Sequence, residues 1–400
     1  MPAKIIIDTD PGVDDVLAIL LGLASPEIDV ALISIVFGNT HAPVAHANLL
    51  KIYHLLSQEI ASLPAAEARY ARLGGQVKTV LALGEDGPIG GKKAVAAYFH
   101  GQDGLSNISE THPAFTPPAL SADEVHDHLD ISKKPAYEEM LDLLRAEPAG
   151  TVTIVALGPL TNIAHAFRSD AESFNRVAKV VWMGGALDVP GNTSPTAEFN
   201  CFADPYAAAE VLKAVKEGAF RLIMAPLDIT TPHQIPFSDL IHPSLLTPPE
   251  EAPPPTPLQA FTGSMLLRVR GLQASFGLPD AMEMHDPVAV WYAIENAGTE
   301  DHAGWKTVKR DFAIERNGEL TRGMCVVDRR GAGEELVDRT KSKLLNSKQP
   351  VPSLPPKDET VDRMGAEVEK AKQLPEVIYD TPGSEVLRKV LLARVFGTKV

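Results

Sequence analysis

The segment Lys4–Asp15 reads KIIIDTDPGVDD and decides the fold that the sequence predicts. Its apolar run, Ile5–Ile7, predicts a short buried strand that ends at Asp8. Four aspartates lie within eight residues, at positions 8, 10, 14 and 15, and a helix is predicted from about Asp14. Carboxylates that follow a strand and open a helix lie at the carboxyl edge of an α/β sheet, where such sheets bind ligands.

The rest of the chain repeats this alternation of strand and helix. Further strands are predicted at Ile28–Phe37, Thr151–Leu157, Lys179–Met183 and Arg221–Pro226. Helices are predicted over Ala42–Ser57, from Thr161 and over Pro205–Val215. This order predicts a parallel sheet covered on both faces. We therefore predict an α/β fold, with an open, mostly parallel sheet flanked by helices around a Rossmann-like core.

The composition is that of a folded protein with an acidic surface. The 400 residues are 44% apolar and 22% charged, which excludes a disordered or fibrous chain. The net charge of −15 argues against binding to nucleic acid or to anionic membranes. Cys201 and Cys325 cannot form a disulfide framework, although one bridge between them would be compatible with the sequence. We find no signal-peptide pattern and no bilayer-spanning stretch, so we expect a cytoplasmic protein.

Three segments interrupt the alternation. Residues 112–135 mix Pro, Asp and His without clear periodicity. Pro243–Pro257 holds seven prolines in fifteen residues, which excludes regular helix and central strand. Residues 341–376 are rich in Lys, Glu and Pro, as is typical of a solvated extension. Because strands of the same character resume afterwards, we interpret all three as insertions in a single domain that spans residues 1–400.

The aspartate cluster predicts a cation site. An acidic first helical turn would explain Asp14 or Asp15, but not four carboxylates together. Their mutual repulsion has a free-energy cost on the order of kcal/mol, even at an effective dielectric constant of about 20. A bound cation relieves this repulsion. Ligands that are all oxygen indicate Ca²⁺ or Mg²⁺ rather than zinc. Phosphatases of the haloacid-dehalogenase type also begin with Asp-x-Asp after a strand, but Pro11-Gly12 and Asp14-Asp15 are not part of that pattern.

Several motifs, taken in order, resemble the inosine–uridine-type nucleoside hydrolase family. They are DTDPGVDD at 8–15, VFGN at 36–39, LGPLTN at 157–162, VWMGG at 181–185, AEFN at 197–200, DP at 204–205, MHDP at 284–287, LTRGM at 320–324 and VVD at 326–328. Each is weak alone, but together they are specific. The resemblance implies the nucleoside hydrolase fold. It also implies Ca²⁺-dependent hydrolysis of the N-glycosidic bond of purine or pyrimidine ribonucleosides to base and ribose, in nucleoside salvage.

The resemblance implies a Ca²⁺ site whose ligands come from segments that are far apart in the sequence. In that family the ion binds carboxylates, a backbone carbonyl, the ribose 2′- and 3′-hydroxyls and the attacking water. Matched by position, the ligands here would be Asp10, Asp15, Asp286 and the carbonyl oxygen of Leu157. Asp10 would also be the general base that takes a proton from that water, and Asp8 would support the site from beside it. Leu157 departs from the usual threonine, a change that a main-chain ligand tolerates.

Ribose binding is implied in the same way. Asp14 would take part in catalysis by accepting a hydrogen bond from the 2′-hydroxyl. The matched ribose-binding positions are Asn39, Met183, Asn192, Glu198 and Asn200. Amide and carboxyl groups suit sugar hydroxyls, which both donate and accept. For residues 197–200 the alternative is a polar loop that precedes a helix capped near Asp204. For Met183 the alternative is a position in the apolar core.

Two histidines would act on the base. His285 matches the residue that is the proposed acid for the departing base, and the alternative is a structural histidine beside a ligand. His100 would lie on a mobile loop, His100–Gly104, that closes over the base, with Gly101 and Gly104 as hinges. An ordinary surface turn is the alternative for that loop.

Two functions of other classes stay open from the residues. One is a nucleoside- or ribose-binding protein without turnover, which would not need the base Asp10 and the acid His285 together. The other is a metal-dependent phosphatase, which would need basic residues for phosphate that the motifs at 197–200 and 285–287 do not supply. The resemblance implies a small-molecule ribonucleoside as the partner and assembly as a homodimer or homotetramer. The motifs do not set base preference.

Overall fold

A large β-sheet forms the centre of the computed structural model, which describes residues 2–74, 78–118, 125–246, 253–297, 304–329 and 373–398. The strands are β1 (Ala3–Thr9), β2 (Ile28–Ile35), β3 (Thr79–Leu83), β4 (Leu129–Ile131), β5 (Thr153–Ala156), β6 (Lys179–Met183), β7 (Leu222–Ala225), β8 (Gln234–Pro236), β9 (Ala281–Glu283), β10 (Lys306–Lys309), β11 (Ala313–Ile314), β12 (Cys325–Val326) and β13 (Glu376–Asp380). Among the described residues, nine of them form one sheet in the order β10-β13-β7-β6-β5-β1-β2-β3-β4.

The predicted α/β class with a mostly parallel sheet is confirmed. Each neighbouring pair in this sheet is parallel except β10 and β13. The chain runs outward from β1 through β2, β3 and β4, then returns to place β5 on the other side of β1. This reversal of direction is a topological switch point, the place where open α/β sheets bind their ligands. The aspartates that follow β1 therefore lie at the point where a ligand site is expected.

Helices cover both faces of the sheet. They are α1 (Val13–Leu23), α2 (Ala42–Ser62), α3 (Pro64–Arg69), α4 (Ala97–His100), α5 (Ile108–Thr111), α6 (Ala136–Ala146), α7 (Thr161–Ser169), α8 (Ala171–Phe174), α9 (Phe199–Ala203), α10 (Pro205–Lys216), α11 (Leu227–Thr230), α12 (Phe237–Leu240), α13 (Pro243–Leu246), α14 (Pro257–Ser275), α15 (His285–Glu295) and α16 (Ser384–Leu391). In the described part of the chain, none of them combines the length and apolar content needed to cross a bilayer.

The isoleucine run of β1 serves two cores. Ile5 and Ile7 pack into the cluster on one face of the sheet, and Ile6 packs into the cluster on the other. Successive side chains of a strand point to opposite faces, so a strand covered on both sides needs apolar residues without alternation. This is the physical reason for the continuous apolar run that the sequence shows.

Helix α1 begins directly where the aspartate turn ends. Gly12 is its N-cap, and the Gly12 N–H donates to Asp15 Oδ2 at 3.0 Å. All residues of α1 are buried, as expected for a helix that is apolar on nearly every side. Its two charged residues, Asp14 and Asp15, both lie in the first turn. The fold thus buries two carboxylates at the edge of the sheet, and packing alone gives no reason for them.

Two of the three predicted insertions contain regular structure among their described residues. Residues 112–135 contribute β4, which pairs with β3 as an edge strand of the main sheet. The proline-rich segment contains the short helix α13 (Pro243–Leu246), so the exclusion of helix there was wrong for its first four residues. Most of 341–376 lies outside the described residues, and its last residue begins β13, which pairs with β7. The assignment of one domain to residues 1–400 stays a prediction.

An ion pair joins β13 to the chain that leads into β7. Arg221 Nε and Nη2 donate to the two carboxylate oxygens of Glu376 at 2.8 and 3.0 Å, and Thr307 Oγ1 donates to Oε2 at 3.1 Å. Burial alone would raise the pKa of Glu376, but the hydrogen bonds and charge of Arg221 outweigh it and hold this pKa below its usual value. The charged form of Glu376 therefore stabilises the folded state.

We expect Glu376→Gln to lower the free energy of unfolding by about 1 kcal/mol at pH 7, because the bidentate ion pair with Arg221 is lost. A carboxyl with a depressed pKa stabilises above its unfolded pKa of about 4.3, and this contribution disappears as the pH falls through the folded pKa. Urea denaturation at pH 7 should therefore show a difference from wild type that shrinks once the pH falls below the folded pKa of Glu376. Glu385→Gln, at an exposed position of α16, is the control; an equal loss there would contradict the assignment.

Candidate active site

A pocket of about 250 Å³ lies at the carboxyl edge of the sheet, near the switch point. Its wall combines the ends of several strands with residues from α14 and α15. Ten of the residues that the sequence placed in the site line it: Asp14, Asn39, His100, Leu157, Met183, Asn192, Glu198, Asn200, His285 and Asp286. Asp8, Asp10 and Asp15 do not line this pocket and lie in the buried structure around the aspartate turn.

Three carboxylates meet at this edge. Asp14, Asp15 and Asp286 each offer an oxygen within 4.8 Å of the others, and all three are buried. Burial, with the charge of Asp15, raises the pKa of Asp14 to about 7. Burial, with the charges of Asp14 and Asp15, raises the pKa of Asp286 well above its usual value. Three buried like charges this close favour a bound cation, and oxygen-only donors suit a hard ion.

Asp10 and Asp15 are held by the structure around them. Asp15 Oδ1 accepts from Thr9 Oγ1 at 2.5 Å, and its Oδ2 accepts from Asn39 Nδ2 at 2.7 Å. Asp10 Oδ2 accepts the Asn39 N–H at 2.6 Å, whereas its buried Oδ1 has no hydrogen-bond partner among the described residues. A Cβ atom on Gly158 would come within 2.6 Å of that Oδ1. The fold therefore leaves room for an unpaired carboxylate oxygen, which fits a cation or a water.

Asp10 stands apart from the trio of Asp14, Asp15 and Asp286, whereas the sequence grouped Asp10, Asp15 and Asp286 as ligands. The charge of Asp15 nevertheless acts on Asp10, whose pKa is raised by burial first and by Asp15 second. All four carboxylates thus belong to one electrostatic cluster.

Asp8 lies behind this cluster. Its Oδ1 accepts from Ser34 Oγ at 2.5 Å and from Asn162 Nδ2 at 2.8 Å. Burial raises its pKa to about 7. Asn162 also donates to the Ile35 carbonyl at 3.0 Å, so Asp8 belongs to a polar network that joins the ends of β1 and β2.

The carbonyl of Leu157 lies beside the predicted ribose-binding residues. Asn200 Nδ2 donates to the Leu157 carbonyl at 2.7 Å and to the Met183 carbonyl at 3.0 Å. A carbonyl oxygen has two lone pairs, so this bond leaves Leu157 one position for another partner. Asn192 Oδ1 accepts the N–H of Phe199 at 3.0 Å. These contacts fix the ends of β5 and β6 against α9.

Glu198 is the N-cap of α9. Its carboxylate accepts the N–H of Asn200 at 2.6 Å, of Gly185 at 2.7 Å and of Cys201 at 3.0 Å. Burial still leaves its pKa raised. Glu198 therefore caps a helix and also lines the pocket. The capping agrees in part with the polar-loop alternative for residues 197–200.

His285 is held through both ring nitrogens. Nδ1 hydrogen bonds with Thr230 Oγ1 at 2.8 Å, and Nε2 lies 3.0 Å from Glu283 Oε2. Burial would lower the pKa of His285, but Glu283 and Asp14 outweigh it and raise this pKa above its usual value. The sequence analysis missed Thr230 and Glu283. Glu283 shares the segment MEMHD with His285, and this closeness in the sequence was the available signal, although Glu283 ends β9 and His285 begins α15.

His100 packs against the aspartate turn. Its Nδ1 accepts the N–H of Val13 at 3.1 Å, and burial lowers its pKa to about 3, so the ring is neutral. Gly101 and Gly104 have φ angles of +84° and +76°. Glycine here allows a left-handed backbone. Glycine therefore suits the backbone conformation at both positions, and the hinge role of the loop stays a prediction.

Further residues line the pocket that the sequence did not place in the site, and all but Phe199 of the AEFN motif come from segments without a motif. They are Ala96, Tyr98, Phe99, Phe199, Gln273, Phe276, Leu278, Met282 and Glu283. Gln273 on α14 is buried, and its Oε1 has no partner among the described residues. This acceptor and the surrounding aromatic side chains suit a flat heterocycle that carries an N–H group. Among the described lining residues, none is lysine or arginine, which does not suit a phosphate group.

Comparison with known proteins identifies the family. The profile described as inosine-uridine preferring nucleoside hydrolase matches residues 5–351. The pyrimidine-specific ribonucleoside hydrolase RihA of Escherichia coli O139:H28 is 32% identical over 329 residues, covering 82% of this chain and 89% of the relative. An uncharacterized protein of Schizosaccharomyces pombe is 31% identical over 325 residues, covering 81% of this chain and 89% of that protein.

A solved structure shares the fold. The purine-preferring ribonucleoside hydrolase from Gardnerella vaginalis superimposes with a TM-score of 0.68 at 20% identity, covering 98% of both chains. The profile match and the curated relatives decide against the phosphatase alternative. The protein belongs to the inosine-uridine preferring nucleoside hydrolase family and is a nucleoside hydrolase.

Proposed function

We propose that this enzyme hydrolyses the N-glycosidic bond of ribonucleosides in a Ca²⁺-dependent reaction and releases the free base and ribose. The observation that carries the proposal is the buried cluster of Asp14, Asp15 and Asp286, of which Asp14 and Asp286 line the pocket. A pocket with carboxylates at one end and aromatic and amide groups in its wall suits a sugar joined to a heterocycle.

The residues that would hold the ion are Asp10, Asp15, Asp286 and the carbonyl of Leu157. Support comes from the unpaired Oδ1 of Asp10 and from the raised pKa values of the clustered carboxylates. Asp14 lies within the same cluster, and we assign it to the ribose 2′-hydroxyl. When bound, Ca²⁺ supplies the positive charge that lets these carboxylates ionise together and that polarises a water and the ribose hydroxyls.

The side chains divide the remaining work. Asp10 accepts the proton of the attacking water at its free Oδ1. Asn39, Asn192, Glu198 and Asn200 orient the ribose, and Met183 closes one wall. His285 donates its Nε2 proton to the departing base in exchange for the contact with Glu283, while Thr230 holds the ring through Nδ1. His100 lies at the wall of the pocket as a neutral ring.

The biological setting is proposed with the activity. We propose a role in nucleoside salvage and a cytoplasmic location. We also propose assembly as a homodimer or homotetramer, and sedimentation measures this oligomeric state directly. We propose purine and pyrimidine ribonucleosides as substrates. The named relatives include a pyrimidine-specific and a purine-preferring enzyme, and kcat/KM values for inosine, adenosine, guanosine, uridine and cytidine measure the preference.

Removing the cation or Asp10 should abolish turnover. We expect Asp10→Ala to lower kcat by more than the factor of about 10²–10⁴ that general-base catalysis contributes, since a ligand is lost as well. Chelation should have a comparable effect that added Ca²⁺ reverses. Release of reducing sugar from inosine or uridine is the assay. Asp142→Asn, an exposed carboxylate on α6, is the control. Near-normal turnover of Asp10→Ala or of the chelated enzyme would contradict the mechanism.

Ribose recognition should be strict. A 2′-deoxyribonucleoside leaves Asp14 and its neighbours without their partner, and an unpaired buried polar group costs about 1–3 kcal/mol. We therefore expect kcat/KM for 2′-deoxyuridine to be about 5- to 150-fold below that for uridine. Asp14→Asn should narrow the difference between the two substrates. Equal values for both substrates in the wild-type enzyme would show that the sugar is held in some other way.

The role of His285 can be separated from that of the cation by changing the leaving group. If His285 protonates the base, His285→Ala should lower kcat for inosine by about 10²-fold or more, as expected when an acid catalyst is removed. Hydrolysis of p-nitrophenyl riboside should fall much less, because p-nitrophenolate leaves without a proton. A structural role beside Asp286 predicts equal losses on both substrates. Parallel kinetics with the two substrates decide between these outcomes.

A further inference from the structure

The loop that follows His100 has an unusual backbone. Within residues 101–107, Gly101, Gly104, Ser106 and Asn107 all have positive φ angles, at +84°, +76°, +63° and +62°. Ser106 and Asn107 are neighbours, and two successive L-residues in this conformation are uncommon, although asparagine tolerates it better than serine. The loop therefore keeps its shape through contacts outside its own backbone preferences.

Asp103 supplies the contacts inside the loop. Its Oδ1 accepts the N–H of Leu105 at 2.8 Å and of Asn107 at 2.7 Å. Its Oδ2 accepts the N–H and the Oγ–H of Ser109 at 2.8 and 2.6 Å. One carboxylate thus fixes the loop as a unit, but these bonds do not fix its position relative to the carboxylate cluster.

Asn48 makes that connection. It lies on α2 and is fully buried. Its Nδ2 donates to the Asp103 carbonyl at 2.6 Å and to the Pro11 carbonyl at 3.1 Å. Pro11 lies in the turn between Asp10 and Asp14. One amide group therefore spans the loop after His100 and the turn that carries the catalytic carboxylates.

Lys51, one helical turn further along α2, supports this amide. Its Nζ donates to Asn48 Oδ1 at 3.2 Å and to Ser109 Oγ at 2.7 Å. Only 5% of Lys51 is exposed. Because Nζ binds the amide oxygen, the amide nitrogen is directed at the two carbonyls. Asn48 and Lys51 together form a polar brace between α2, the loop and the aspartate turn.

We propose that Asn48, oriented by Lys51, is a positioning residue that sets the aspartate turn and the His100 loop in the spacing needed for cation binding and hydrolysis. The inference rests on the proposed Ca²⁺-dependent function. Neither side chain lines the pocket, so both act through the residues they hold. Buried partners of this kind commonly change metal affinity or activity by about 10–100-fold when they are removed.

The test uses the full chain with Asn48→Leu, which keeps the size of the side chain and removes both donated bonds. We expect its Ca²⁺ dissociation constant, measured by calorimetry after chelation, to rise about 10–100-fold. Backbone amides of residues 101–109 should exchange hydrogen faster. Lys51→Met should shift both quantities in the same direction by a smaller factor, and it decides the test if Asn48→Leu does not fold.

Asn296→Leu is the matched control. Asn296 is also buried, and its Nδ2 donates to the Tyr292 carbonyl at the end of α15. A purely structural role predicts that Asn48→Leu resembles this control, with a lower Tm and wild-type Ca²⁺ affinity and loop exchange. That result would overturn the inference. If the wild-type enzyme released no ribose, the proposed function would fail instead, and the affinity and exchange data would still test the brace.

Discussion

The mutual repulsion of buried carboxylates is the constraint on which this structure depends. Asp14 and Asp15 open α1, and Asp286 opens α15. The N-terminal end of a helix carries partial positive charge, so two helix ends that meet at the cluster offset part of the repulsion. Hydrogen bonds from Thr9, Gly12 and Asn39 to Asp15 offset more of it. A cation that binds only the native arrangement would add its binding free energy to folding.

The surrounding fold serves to hold these charges in place. Ile5, Ile6 and Ile7 anchor β1 between two apolar cores, so the turn after β1 has little freedom to relax. Helix α1 is buried along its whole length, which fixes the direction of its first turn. Rigid supporting elements of this kind keep a site in a productive geometry. The carboxylate cluster beside the pocket thus rests on deeply buried elements.

Much of this architecture could be predicted from local pattern. The run at Ile5–Ile7, the turn after it and the strand Lys179–Met183 are all where the sequence places them. The edge strand β4 and the inserted strand β13 were missed, because short strands at or near an edge depend on their neighbours rather than on their own residues. The helix α13 was missed because proline is tolerated in the first turn of a helix.

The charged residues of the site could be predicted from the sequence, but the contacts they make could not. The motifs assigned Asp14, Asp15 and Asp286 to one site, and the structure brings them together. The hydrogen-bond partners of His285 lie on other elements and follow only from the assembled fold. Gln273 could not be found, since nothing in the sequence of α14 tells which of its faces meets the pocket. The loop after His100 contains two glycines for which a hinge role stays a prediction, and their positive φ angles could not be read from the sequence.

The two halves of the carboxylate cluster come from distant parts of the chain. Asp10, Asp14 and Asp15 leave the ribosome early, whereas Asp286 and α15 follow only after most of the sheet strands have been synthesised. A nascent chain that ends before α15 carries the acidic turn without its partner and without the helix that packs against α1. The three-carboxylate cluster therefore forms only in chains synthesised beyond Asp286. Truncated products would accordingly lack any stability that a bound cation would add to the finished molecule.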